Sequence, residues 1–178
     1  MLLKIKRPKL HKIYVYGFSL TFVVIIVLAT GRSSIELAGA QEDGMRKVVY
    51  HADFSDPRRF SSMLQSINNM IVTYEDELAD YDIRVVFNAH GIRFLTEDKL
   101  TGTPFEEDEA LRERRQELMD RLTSLHDVLN VKLELCEITR TAVGLDKQKV
   151  MPVVELVPSG VVQVAALQHQ GFAYIKVE

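Results

Sequence analysis

The chain holds a single cysteine, Cys136, so any thiol chemistry it performs runs through one sulfur. Val131-Lys132-Leu133-Glu134-Leu135 alternates apolar and polar residues at period two, which predicts a strand ending at Cys136. Glu137 to Gly144 then has the pattern of a short helix closed by glycine. A thiol at that junction meets the N–H groups of a helix start, which favour its anion, so the position suits a nucleophilic or sulfur-carrying cysteine. A free cysteine also serves as a small buried apolar residue, and residue type leaves both readings open. His51, Asn88 and His90-Gly91 follow two other apolar runs. An imidazole exchanges protons near neutral pH, and glycine permits close backbone approach to a ligand. No metal is expected, since there is one thiol, no Cys-x-x-Cys and no His-Glu-x-x-His. No glycine-rich dinucleotide fingerprint or Walker loop is present, so no cofactor is expected either.

These groups need elements to position them. Val48-Val49-Tyr50 predicts a strand running into His51, and Asp56-Pro57 supplies an N-cap with proline at the first helical position. Phe60, Met63, Leu64, Ile67, Met70, Ile71, Tyr74 and Leu78 then recur on one helix face. Ile83 to Phe87 predicts a second strand, ending at Asn88-Ala89-His90-Gly91. Thr103-Pro104-Phe105-Glu106 has the form of a capping box and predicts the start of a long helix with Leu111, Leu118, Leu122 and Leu125 on its apolar stripe. After the strand at Cys136, Val153 to Val157 predicts a fourth strand. Pro158-Ser159-Gly160 turns into a helix bearing Val161, Val164 and Leu167, and Phe172 to Val177 predicts a fifth strand. Strands alternating with helices imply a three-layer α/β/α domain around a mostly parallel five-stranded sheet. In such a sheet His51, Asn88, His90 and Cys136 share one edge, the edge where ligands bind.

The beginning of the chain is of another kind. Lys4, Lys6, Arg7, Lys9 and Lys12 precede an uncharged apolar run over residues 13–29, the pattern of a signal peptide or a membrane anchor. The basic excess on its N-terminal side places that end in the cytoplasm and the remainder outside, periplasmic or held at the outer face of the membrane. Ala38-Gly39-Ala40 offers a cleavage site. Residues 1–40 thus form the leader with a short tether, and residues 45–178 the α/β domain. Beyond residue 40 the chain carries 16 basic and 24 acidic residues, a formal charge of −8. That balance argues against nucleic acid as a partner, since phosphate binding needs a net basic face or stripe. One cysteine also forms no internal disulfide.

Taken in order, Val48-Val49-Tyr50-His51, Val85-Val86-Phe87-Asn88-Ala89-His90-Gly91, Val131 to Cys136 with Thr139 just beyond, Val157-Pro158-Ser159-Gly160-Val161 and Gln170-Gly171-Phe172-Ala173-Tyr174-Ile175 resemble the DsrE/DsrF-like family of sulfur-handling proteins. The resemblance spans roughly Lys47 to Val177 and omits the leader. It implies a compact parallel α/β fold, assembly into trimers or hexamers, and a cysteine that carries sulfur as a persulfide, with Cys136 at the matching position. The expected protein is an exported carrier rather than a turnover enzyme, with a sulfur donor or acceptor as partner. His51, Asn88, His90, Gly91 and Thr139 are its possible site partners. The alternative is a non-catalytic small-ligand-binding or assembly module in which Cys136 is structural. Two features depart from the relay proteins of the family: the export leader, and Glu137, whose carboxylate opposes a thiolate if the two approach.

Overall fold

The computed structural model describes residues 44–178; the leader assigned to residues 1–40 lies outside the described residues. Among the latter no helix is long and apolar enough to cross a membrane. The strands are β1 (Arg46–Ala52), β2 (Tyr81–Phe87), β3 (Lys132–Cys136), β4 (Val154–Val157) and β5 (Ala173–Ile175). The helices are α1 (Pro57–Asp76), α2 (Glu109–Leu129), α3 (Glu137–Ala142) and α4 (Gly160–His169), with 3-10 turns at Ala89–Phe94 and Lys147–Lys149. All five strands run parallel in the order β4-β3-β2-β1-β5.

That order determines where the two faces are covered. Each step from β1 to β4 moves one strand outward, whereas the connection from β4 through α4 returns across the sheet to place β5 beside β1. Parallel crossovers are right-handed, so the returning helix must lie on the face opposite the others. The core is split accordingly. Val48, Tyr50, Val85, Phe87, Leu133 and Leu135 pack with the buried residues of α1 and α2, while Val49 and Val86 pack with Val164, Leu167 and Phe172 at α4. This is the expected three-layer α/β/α domain.

The sequence patterns locate the elements, with three differences. α2 begins at Glu109, not at Thr103: Asp108 is its N-cap and accepts from the Leu111 N–H at 2.8 Å. Thr103 and Glu106 do bind nearby backbone N–H groups, of Phe105 and Gly102, but these close a separate turn. In α1 the apolar stripe ends at Tyr74, and Leu78 falls past the C-cap Glu77 in the left-handed region (φ 54°), exposed to solvent. Val161 is likewise exposed at the start of α4, whereas Val164 and Leu167 are buried.

Candidate functional site

The chain leaves β3 through α3 toward β4 and leaves β4 through α4, which lies on the face of the sheet opposite α1 and α2. At such a switch point the ends of adjacent strands leave a crevice. Cys136 ends β3 directly opposite Val157 of β4. It is also the N-cap of α3, with extended backbone (φ −61°, ψ 116°), and its sulfur makes no side-chain capping hydrogen bond.

The thiol is 5% exposed. Burial pushes its pKa up, but the N–H groups of Gly160 and Thr139, the Thr139 hydroxyl and the Ile138 N–H pull it down by more, so it lies below the ordinary thiol value. These donors come from two separate elements, α3 and the first residue of α4. Gly160 allows that meeting: a Cβ there would lie 3.1 Å from Cys136 Cβ, 3.2 Å from Asn88 Cβ and 3.4 Å from Val86 Cγ1. Glu137, the neighbour expected to oppose a thiolate, is held by Arg140 through paired contacts of 2.6 and 2.7 Å. Its charge is balanced within α3.

The turn after β2 supplies the other groups. Asn88 is extended, and Ala89 then adopts a left-handed conformation (φ 44°) that L-residues with a Cβ rarely take. This directs the Ala89 N–H at Thr139 Oγ1, 3.1 Å away, and joins the turn to α3. Gly91 makes its close approach to protein backbone: a Cβ at this position would lie 2.0 Å from the carbonyl oxygen of Ala52.

The five partner residues proposed for Cys136 are thus placed unequally. Thr139 lies three residues beyond Cys136 in α3 and accepts from the Ala89 N–H, and Asn88 adjoins Cys136 beneath Gly160. His51 Nε2 lies 3.0 Å from Asn88 Oδ1, so the imidazole reaches the crevice through that amide. His51 itself lies two strands from β3, roughly 10 Å across the sheet at ordinary strand spacing. Its ring stands edge-on to Tyr174 and borders a polar cleft of about 460 Å³ that includes Asp53, Arg59 and Lys176. His90 stands edge-on to Phe105 at 4.9 Å and makes no hydrogen bond to His51, Asn88 or Cys136. Gly91 positions the turn from below.

Sequence reasoning missed the link from Ala89 to Thr139 and the donor role of Gly160. The second had a signal, since Ser159-Gly160 after an apolar run is a helix N-cap with a small following residue. The first had none, because an alanine at positive φ carries no mark in the sequence.

Residues 47–177 match the DsrE/DsrF-like family. No curated protein matches the chain. Among solved structures, the MTH1491 protein of unknown function from Methanobacterium thermoautotrophicum is 24% identical, with a TM-score of 0.56 over 74% of this chain and 98% of that one. The ychN protein from E. coli is 20% identical, with a TM-score of 0.46 over 74% of this chain and 99% of its own. The first of these shares the fold described above, and the family match covers the sheet from the second residue of β1 through β5, with the crevice at Cys136. The chain belongs to the DsrE/DsrF-like family.

Proposed function

We propose that this protein carries sulfane sulfur as a persulfide on Cys136, as an exported homo-oligomer and without turnover chemistry of its own. The observation behind this reading is the set of N–H groups and one hydroxyl around the sole thiol, which favours anionic sulfur at the switch point of a DsrE/DsrF-like fold. With a persulfide donor R–S–SH the step is an exchange without net redox change. Cys136 thiolate attacks the terminal sulfur, a bond forms from Sγ to that sulfur, the donor S–S bond breaks, and the electron pair leaves on R–S⁻, which takes up a proton. His51 lies too far away to act on Sγ itself. Held by Asn88, it is suited to orient the remote part of the donor or to exchange a proton there.

Intact-mass measurement of the full chain before and after exposure to a persulfide donor tests this reading. A gain of about 32 mass units for one sulfur atom, absent in Cys136→Ser, is the expected result. The small exposure of Cys136 favours a second reading, a ligand-binding or assembly module with a structural cysteine. No mass gain, with a thiol that alkylates only after unfolding, would establish that alternative instead.

A further inference from the structure

Arg59 differs from the other sheltered arginines of this fold. Arg84, Arg93, Arg114, Arg115, Arg121 and Arg140, all buried or half-buried, each hold a carboxylate. Arg59 is half-buried too, yet it forms no ion pair among the described residues. Its guanidinium donates to the Val177 carbonyl, lies 4.1 Å over the Phe54 ring and leaves Nε buried without a partner. A sheltered charge without a counter-charge is costly, and the guanidinium fork matches a carboxylate. Asp53 lines the same polar cleft of about 460 Å³ and likewise has no ion pair or side-chain hydrogen bond among the described residues. The two charges share one cleft without pairing with each other. The other polar groups there are engaged, since Lys176 pairs with Glu178 and His51 bonds Asn88.

We propose that this cleft binds the α-amino-acid end of a small peptide-like molecule, its carboxylate on Arg59 and its ammonium beside Asp53, with His51 and Tyr174 as the wall toward the crevice. This names the class of sulfur donor and rests on the carrier reading for its biological use, but not for its measurement. His51 joins the two places: it borders the cleft and bonds Asn88, which adjoins Cys136 beneath Gly160. The register puts all three on one face of the sheet. His51 is level with Val86 and Val86 with Glu134, and Asn88 and Cys136 each follow two residues on. The row from His51 to β3 is roughly 10 Å long at ordinary strand spacing. An extended chain advances about 3.3–3.6 Å per residue, so a free amino acid held in the cleft is too short to reach Cys136 and a tripeptide-sized thiol is long enough. An inorganic sulfur anion has no ammonium for Asp53 and no length to span the row.

The test is calorimetric titration of the full chain with S-methylglutathione, a tripeptide-sized thioether that has a free α-amino-acid end and no transferable sulfur. Saturable binding is expected, weakened about tenfold or more by Arg59→Gln and by Asp53→Asn, each of which removes one charge-assisted contact. The deaminated analogue, with glutaryl in place of γ-glutamyl, keeps the carboxylates and should bind the parent chain about as weakly as Asp53→Asn binds S-methylglutathione. No saturable binding to the parent chain, undiminished binding to folded Asp53→Asn, or equal binding of the deaminated analogue overturns the inference. If Arg59→Gln fails to fold by circular dichroism, having lost its bond to Val177, the exposed Asp53 substitution and the analogue decide on the same criteria. Failure of the carrier reading looks different: Cys136 would then gain no sulfur from a persulfide donor, while the thioether still bound and still depended on Arg59 and Asp53.

Discussion

Gly160 shows how little space separates packing from chemistry in this crevice. Its α-carbon passes over Val86, Asn88 and Cys136, and the nearest atoms to an added Cβ are other Cβ atoms close to the backbone, which cannot swing aside. Gly160→Ala should therefore lift the start of α4 by a few tenths of an ångström. That overpacking costs about 1–3 kcal/mol, measurable by urea unfolding, and it draws the Gly160 N–H away from the sulfur, so alkylation at neutral pH should slow in the same variant. Unchanged alkylation with lowered stability would mean that this N–H contributes nothing to the thiol. The sulfur also makes stability depend on pH. Its folded pKa lies below the ordinary thiol value, so the unfolded chain binds the thiol proton more tightly. The resulting stabilisation is complete above the unfolded pKa and is lost as pH falls through the folded one. Cys136→Ser should flatten the stability profile in that alkaline window. The place of Cys136 at a strand end was legible, because period-two alternation stops there. Its N–H donors were not, since Gly160 is brought to Cys136 by a crossover that no local pattern encodes.

The start of α2 shows how elements compete for a boundary. Two caps lie within six residues: Thr103 with Pro104 and Glu106 forms the fuller local motif, yet Asp108 begins the helix. The deciding contacts are long-range. Asp108 Oδ2 receives Arg93 Nη2 at 2.8 Å, with Arg93 only 4% exposed, and Arg115 from the second turn of α2 donates to the Arg93 carbonyl at 2.9 Å and pairs with Glu107. A helix beginning at Thr103 would draw Glu107 and Asp108 out of these positions. Asp108→Ala should lose about 0.5–2 kcal/mol from the cap alone, and more because Arg93 keeps its burial and loses its carboxylate. Asp108→Asn separates the two effects, since asparagine caps about as well and carries no charge. If the alanine and asparagine variants unfold at the same urea concentration, the cap is worth nothing and the ion pair everything. Burial pushes the Asp108 pKa up, but the Leu111 N–H and Arg93 pull it down by more. Its contribution is therefore present above the usual carboxylate pKa near 4 and disappears as pH falls through the lower folded value. The capping box misled because it is a statement about four residues, while the ion pairs that overrule it join positions up to 15 apart.

At the scale of the whole molecule, the alternation of side chains made the sheet legible, and its strand order was not. Five runs alternating with helices imply parallel strands, but only the return through α4 makes the second face, and that face is unusual in what it buries. Beside the small apolar cluster around Val49 and Val86, it holds Glu134 at 2% exposure, paired through Oε1 with Arg84 Nη1 at 3.1 Å, while Oε2 is buried without a partner. Arg84 also binds Asp82 at 2.9 Å and lies over the Phe172 ring. In the sequence Glu134 is the polar half of a period-two alternation, which predicts an exposed residue; α4 crossing above is what encloses it. Removing one member of such a pair is costly and replacing both need not be. Arg84→Met should lose about 3–5 kcal/mol, because Glu134 is left charged and enclosed, whereas Asp82 still holds Lys132 at 2.9 Å. Arg84→Met with Glu134→Leu should regain most of that loss, and the double-mutant cycle by urea unfolding should give a large coupling energy. Additive losses would mean that the two side chains do not stabilise one another across this face. In that case the charge on this face would not bind α4 to the sheet, and the donors at the Cys136 crevice would depend on the apolar cluster alone.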